Sequence, residues 1–585
     1  MTWIQPVDPL HNLTLSALVA LIPVLVIFWA LIIKKTKGYK ASLMACGVAI
    51  VLALTVYGMP IKLAFLSVAN GALYGFFPIC WIVISAVFLF NLTVKSGQFE
   101  VIKHSMASIT GDRRLQAMLI AFSFGAFLEG TAGFGAPVAI TAAMLVGLEF
   151  DALYATGLCL VANTVPVAFG SVGIPIAVAS QVSGLPEMQI SQMIGRTLPI
   201  LSLITPLYLV VLMSGFKKAM EVWPAILVSG GSFALLQFVT ANFVGPALPD
   251  IIAGIGSIIT LVVFLKFWKP KTVWRFKNEQ SPVVANKKEE YTLNQLVTAW
   301  SPFLLLTIII LTWGMPPVKE FLNAKGQTQF AFPGLHNAIA DANGAPLAHI
   351  FKFNYLSAAG TAVFISGLVA IPVVGLTYKD GVIVFGETMK QLKFPIITIM
   401  SVLSFAYMLN DSGITTTIAL LLANTGWLFP FFSPILGWLG VFITGSDTAS
   451  TALFAKLQYV TATQIGVAPV VMVAANCSGG VVGKMISPQS IAVAAAAGNL
   501  VGKESILFRF TLKHSFFILL FIALLVLGQA YWFKGIIPAA TNVVNPLNSV
   551  PLKAGWPGYV WLMITASIVV VFIALIKLTA KKQSA

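Results

Sequence analysis

The chain has 585 residues, of which 58% are hydrophobic and only 9% charged, and its formal net charge is +16. A soluble domain carries roughly 25% charged residues because its surface must be wetted, so this composition excludes a string of soluble domains and points to many membrane crossings. The basic residues lie between apolar runs rather than in one patch, which excludes a nucleic-acid surface and fits topology determinants.

A crossing helix needs roughly 20 apolar residues. Taken in chain order, such runs predict helices over residues 13–33, 41–57, 76–94, 197–214, 223–240, 250–265, 297–313, 356–376, 394–409, 511–531 and 557–576. The first is too long for a signal-peptide core and lacks a basic leader, so it is expected to stay as a helix. The stretches 116–180 and 434–497 are also apolar, but Gly, Pro and polar residues interrupt them. Residues 266–296 mix both charge signs with Pro270 and Pro282 and read as a cytoplasmic linker. It divides a first membrane repeat, residues 1–265, from a second, residues 297–585. An N-terminus outside places 26 of the 35 Lys and Arg residues in the cytoplasm, and the opposite orientation inverts that bias.

Cys46, Cys80, Cys159 and Cys477 sit in apolar or Gly-rich segments without C-x-x-C spacing, so they read as packing residues rather than disulfide or zinc partners. His11, His104, His336, His349 and His514 fall in predicted loops or helix ends and share no metal-like spacing. For His104 and His514 a solvated face is expected, and Arg196 reads as an interfacial anchor. No metal or cofactor is expected. The run from Ser478 to Met485 looks superficially like a phosphate loop, but it lacks the first Gly and the Ser or Thr after Lys484. H-E-x-x-H and G-x-S-x-G are absent too, and an enzyme is not expected.

The halves resemble one another. Phe77-Pro78-Ile79 matches Phe394-Pro395-Ile396 and Thr131-Ala132 matches Thr448-Ala449 at an offset of 317. Asn163 then matches Asn476, Gly170 matches Gly483 and Pro175 matches Pro488 at an offset of 313. With one half starting outside and the other inside, equivalent helices run in opposite directions, the inverted repeat of many secondary transporters.

Each repeat contains an interrupted apolar pair that predicts a re-entrant hairpin. Arms over 115–128 and 137–148 flank a tip at 129–136, and the equivalent tip is Gly445-Ser446-Asp447-Thr448-Ala449-Ser450. Irregular backbone at membrane depth survives only where it is buried in protein or lines a cavity, so both tips should touch the transport path. A broken helix follows each hairpin, at 163–175 and 476–488. Half-helix N-termini present free N–H groups and a positive dipole end, which suit a carboxylate. Gly130, Thr131, Asn163, Thr164, Thr448, Ser450, Asn476 and Lys484 are therefore the expected substrate contacts, with Lys484 facing the substrate's carboxylate. Glu129 and Asp447 are the expected proton carriers, because a carboxylate stripped of water takes a proton more readily. Two plainer roles stay open: Asp447 capping a half-helix, and Lys484 pairing with a carbonyl or with Asp447. Lys456 reads as a residue that snorkels to the outer interface.

At these residues the sequence resembles the bacterial L-lactate permease family. The likeness rests on LEGTAGFGAPVAITAAMLVGL (128–148), GLCLVANTVPVAFGSVGIPI (157–176), GWLGVFITGSDTASTALFA (437–455), GGVVGKMISPQSIA (479–492) and KSGQFEVIK (95–103). These motifs are long, and the likeness covers nearly the whole chain. It departs from the family's pattern in the outer loop 314–352 and at the C-terminus. The resemblance implies proton-coupled uptake of L-lactate, with D-lactate and glycolate as further substrates, across a bacterial inner membrane. The residues alone reach an inverted-repeat transporter of a small anion. The expected fold is an all-α polytopic membrane protein of about 13 transmembrane helices plus two re-entrant hairpins. An elevator motion is expected by analogy with other hairpin-bearing transporters. A sodium-coupled carboxylate carrier and an anion channel are the alternatives. One favoured buried cation, Lys484, suits a monocarboxylate better than a dicarboxylate.

Overall fold

Inside a bilayer every backbone N–H and C=O must be satisfied within the protein, which leaves helices or closed barrels. The computed structural model describes residues 2–539 apart from 35, 134, 277–290 and 343, and it is built of helices. Ten described helices are long and apolar enough to span a membrane, or twelve if two bent pairs count as one span each. The chain is a multi-pass α-helical membrane protein. The helix expected over 557–576 lies outside the described residues. By contacts the chain forms two compact units interleaved in sequence, one built from residues 2–92 and Leu311–Gly426, the other from Thr93–Ile310 and Trp427–Pro538.

In the first unit the main elements are two very long helices, Ile61–Lys95 (35 residues, the last three in the other unit) and Tyr378–Asp411 (34 residues). The apolar runs marked only their C-terminal parts. The missing turns of Tyr378–Asp411 carry Lys379, Asp380, Glu387, Lys390 and Lys393, so hydropathy passes them over. A capping box between Thr377 and Asp380 starts that helix instead. The two helices pack at backbone contact. A Cβ on Gly71 would lie 2.7 Å from Ser404 Cα, and one on Gly75 2.8 Å from Met400 Cα.

The loop 314–352, for which the sequence suggested no element, holds short strands. Thr328–Ala331 pairs antiparallel with Ile350–Phe353, and Ile339–Ala340 pairs in parallel with the N-terminal Trp3–Ile4. His349 of this loop is buried, and its Nε2 lies 3.1 Å from Asp411 Oδ1. Gln5 Nε2 donates to the carbonyls of Asn410 and Asp411.

The second unit contains two helical hairpins, two broken helices and the spans Glu187–Ser214, Trp223–Phe243, Pro249–Phe267 and Glu504–Tyr531. Elements over 61–214 recur in order over 378–531: a long helix, a hairpin, a broken helix and a span. Glu504–Tyr531 begins seven residues before the expected start, which places His514 inside the helix rather than at its end. His514 is buried with Nδ1 2.6 Å from Tyr208 Oη, so the solvated reading of this residue is corrected. The four cysteines are buried and free.

Candidate functional site

The first hairpin rises through Arg113–Ala117, Met118–Phe124 and Gly125–Thr131, 19 residues, or about 28 Å at 1.5 Å per residue. It returns through Ala136–Gly147, 12 residues or about 18 Å. The second hairpin pairs Phe429–Thr444 with Asp447–Gln464, 16 and 18 residues, about 24 and 27 Å. The first arm is thus longer than the roughly 20 Å that its apolar run 115–128 spans. The reason is local: the polar residues Glu129, Gly130 and Thr131 stay helical, with Thr131 Oγ1 bonding back to the carbonyls of Phe127 and Leu128. The turn falls at Gly133 and Gly135, whose φ of 58° and 85° few side chains tolerate.

Arg114, fully buried, fixes the base of the first arm. It donates to Asp112, to Glu221 and to the carbonyls of Lys218 and Thr272. Hydrogen bonds from Lys218, Arg114 and Thr272 pull the Glu221 carboxyl down to about 2.

The first broken helix joins Ala152–Ala162 to Val167–Ser183 with a 61° bend, and the second joins Pro469–Lys484 to Pro488–Ala497 with a 40° bend. In the first, Ser171, Val172 and Gly173 are all left-handed, with φ of 49°, 61° and 77°. For Ser171 and Val172 this costs roughly 1–2 kcal/mol each, strain of the kind that collects at functional sites. In the second, Ser487 caps the resumed helix by accepting from the Ser490 amide.

These four elements bring the ionisable residues together. Glu129 is 2% exposed and takes Lys484 Nζ on Oε1 at 2.8 Å and Asn163 Nδ2 on Oε2 at 3.0 Å. Gly170 makes room for that carboxylate, since a Cβ there would lie 2.9 Å from Oε1. Asp447, 3% exposed, has no hydrogen-bond partner on either carboxylate oxygen among the described residues. A Cβ on Gly480 would strike its Oδ1. The Asn476 amide, Ser478 Oγ, Thr164 Oγ1 and Asn163 Oδ1 are likewise buried without a partner among the described residues.

A cavity of about 70 Å³ opens beside the Glu129–Lys484 pair. Its wall includes Gly135, the N-cap of Ala136–Gly147. Ser446, Asp447 and Thr448 come from the start of Asp447–Gln464, and Gln489 and Ser490 from the start of Pro488–Ala497. Three helix N-termini therefore face one small space together with a lysine, an arrangement that favours an anion. Val167, Ile174, Pro175 and Val493 make the apolar part of the wall.

Of the residues expected from sequence, Glu129, Asp447, Thr448 and Lys484 line this cavity. Lys484 pairs with Glu129, not with Asp447 or a carbonyl. Asn163 stands behind Glu129. Gly130 faces Asp250, Ser450 bonds to the Gly437 carbonyl within its own hairpin, and Thr131, Thr164 and Asn476 are buried away from the wall. The sequence reading passed over Ser171, Gln489 and Ser490. For Ser171 a signal existed, because at the offset of 313 it is the counterpart of Lys484. Asp250 was also passed over, as the first residue of an apolar run, yet it is 1% exposed.

Comparison with known proteins decides the family. The family model described as L-lactate permease matches residues 16–533. The chain belongs to the L-lactate permease family. It is similar to the L-lactate permease of Bacillus subtilis (strain 168), 53% identical over 563 residues that cover 92% of this chain and all of that one. It is also similar to the glycolate permease GlcA of Escherichia coli (strain K12), 51% identical over 557 residues, with 92% and 100% covered. Among solved structures, MtrF of Neisseria gonorrhoeae overlaps with a TM-score of 0.43 and 16% identity, covering 81% of this chain and 84% of that one. Membership of a permease family makes the chain a membrane transporter and not an enzyme.

Proposed function

We propose that this chain takes up short 2-hydroxy monocarboxylates, L-lactate first and D-lactate and glycolate with it, by proton symport across a bacterial inner membrane. The observation that carries this reading is the buried Glu129–Lys484 pair at the wall of a small cavity faced by helix N-termini. A water needs roughly 10–15 Å³ of such space, so about 70 Å³ holds about as many heavy atoms as a two- or three-carbon hydroxy acid. The substrate names come from the relatives, an L-lactate permease and a glycolate permease.

Coupling follows from the pair. A substrate carboxylate competes with Glu129 for Lys484, the one cation lining the cavity among the described residues. Once Lys484 turns to the substrate, Glu129 keeps only Asn163. A buried carboxylate left without its cation costs several kcal/mol, roughly 3–5 when a pair is broken, and a proton from the aqueous phase removes that cost. One proton then travels with each substrate anion, and the return of Glu129 to Lys484 expels both. Asp447, with two unpartnered oxygens, is a second place for a proton. In this reading residues 1–265 and 297–585 are inverted repeats about the linker 266–296, and the N-terminus lies outside.

The test is uptake of labelled L-lactate into proteoliposomes under an imposed pH gradient or a sodium gradient, with wild type and Glu129→Gln. Saturable accumulation driven by the pH gradient alone, and lost in Glu129→Gln, is the expected result. Accumulation driven by sodium, or untouched in Glu129→Gln, would overturn the proton assignment.

A further inference from the structure

Not every acid buried in the membrane helices of the second unit has a cation. Glu129 has Lys484, while Asp447 and Asp250 have no cation bonded to them among the described residues. Asp250 is the one the coupling scheme leaves unused. It occupies the first turn of the span Pro249–Phe267 and is 1% exposed. An aspartate at that place normally serves the helix start, accepting backbone N–H groups. Asp250 does not: its one described hydrogen bond is from Gln237 Nε2 to Oδ1, at 3.4 Å, and Oδ2 has no partner among the described residues. Gln237 is held in turn by Ser202, whose Oγ donates to its Oε1 at 2.6 Å. Three helices thus fix the amide that addresses Oδ1 and leave Oδ2 free.

The other side of Asp250 is the hairpin tip. A Cβ on Gly130 would lie 2.9 Å from Asp250 Cβ, so the residue after Glu129 presses directly on Asp250. One turn along, a Cβ on Gly254 would lie 2.8 Å from Phe127, so the same helix face follows the hairpin arm closely. The elements packed most heavily on Pro249–Phe267 are Trp223–Phe243, Gly125–Thr131 and Met118–Phe124. Among their residues Glu129 is the only ionisable side chain. Like charges close together in a low-dielectric interior oppose one another, so the charge on Asp250 depends on that of Glu129 and on whether Lys484 compensates it.

We propose that Asp250 is a further proton-holding residue of the transport cycle, an acid behind the first hairpin tip whose proton sits on Oδ2 and whose charge state is tied to that of Glu129. The inference rests on the proton symport proposed above. In Glu129's pairing with Lys484 the tip is neutral and Asp250 can give up its proton. When the substrate takes Lys484, the next proton is shared between two acids rather than held by one.

The experiment compares wild type with Asp250→Asn in proteoliposomes, reading lactate–lactate exchange without gradients and lactate accumulation under a fixed pH gradient. Asparagine keeps the shape and the Gln237 contact but holds no titratable proton. The expected result is exchange within about twofold of wild type and accumulation reduced at least about tenfold. Equal losses of exchange and accumulation would mark a structural role, and unchanged accumulation would remove Asp250 from the cycle; either overturns the proposal. Should Asp250→Asn fail to accumulate in the membrane, Gln237→Leu keeps the acid and removes its one donor. That change is expected to move the alkaline limb of pH-driven uptake to higher pH, and an unmoved limb counts against the proposal. If wild type itself shows no pH-driven accumulation, the symport reading fails; if wild type is coupled and Asp250→Asn is equally coupled, only this inference fails.

Discussion

Lys484 binds Glu129 across 355 positions of sequence, and both side chains are buried. Removing Lys484 leaves Glu129 buried and unpaired, which typically costs about 3–5 kcal/mol while it stays charged and less once it takes a proton, whereas replacing both is far milder. Lys484→Met is therefore expected to lower thermal stability clearly, while Glu129→Gln with Lys484→Met recovers most of the loss. Neither variant should accumulate lactate, and melting curves beside uptake separate the two effects. A double variant as unstable as Lys484→Met would show that the pair is not what Lys484 contributes. The charged members of the site were readable from sequence, because an ionisable residue in an apolar run is conspicuous by its cost. Their partners were not. Nothing in the run of letters says that Lys484 pairs with Glu129, 355 positions away, rather than with Asp447 in its own repeat. Asp250 escaped for the opposite reason: at the edge of an apolar run it looks like an ordinary helix start, and only its burial against Gly130 distinguishes it.

At the scale of elements, glycine sets how closely the hairpins and broken helices approach. Gly480 of Pro469–Lys484 faces Asp447 with no room for a methyl group, while Gly231 in Trp223–Phe243 has nothing within 4 Å. Overpacking at a tight position costs about 1–3 kcal/mol, and here it also pushes the Asp447 carboxyl from its place. Gly480→Ala is expected to reduce lactate uptake at least about tenfold, with the protein still inserted. Gly231→Ala should leave uptake unchanged and add up to about 1 kcal/mol through helix propensity. Equal uptake by the two variants would mean that the Gly480 contact has no bearing on transport. The broken helices announced themselves through Gly and Pro, yet the sequence did not reveal that Ser171, Val172 and Gly173 turn left-handed together. Two non-glycine residues in that conformation oppose local preference, so tertiary packing must impose it. The long helices Ile61–Lys95 and Tyr378–Asp411 were underread for a simpler reason. Hydropathy passes over the charged first turns of Tyr378–Asp411, and in Ile61–Lys95 the turns passed over carry Lys62, Ser67 and Asn70.

For the molecule as a whole, the cavity and its charged residues all belong to the unit of Thr93–Ile310 and Trp427–Pro538. The other unit carries its own buried ion pair. His349 of the loop 314–352 meets Asp411 at the end of Tyr378–Asp411, and Gln5 of the N-terminal segment bonds to the same helix end. These contacts join three distant stretches of sequence. Burial lowers the readiness of His349 to be charged, but the Asp411 charge and the hydrogen bonds to Asp411 and to the Leu347 carbonyl more than offset it. The net effect raises the imidazole above its usual value. A raised folded-state value means that the unfolded chain loses this proton first as pH rises. The stabilisation is then complete below about pH 6.5, the usual histidine value, and fades as pH climbs through the raised one. Wild-type protein in detergent should accordingly lose melting temperature between mildly acidic and alkaline pH. His349→Gln should melt lower than wild type at acidic pH, by the worth of a charged hydrogen bond, about 1.5–3 kcal/mol, and the two curves should converge at alkaline pH. A gap between them that stays constant with pH would show that His349 serves by packing and not by charge.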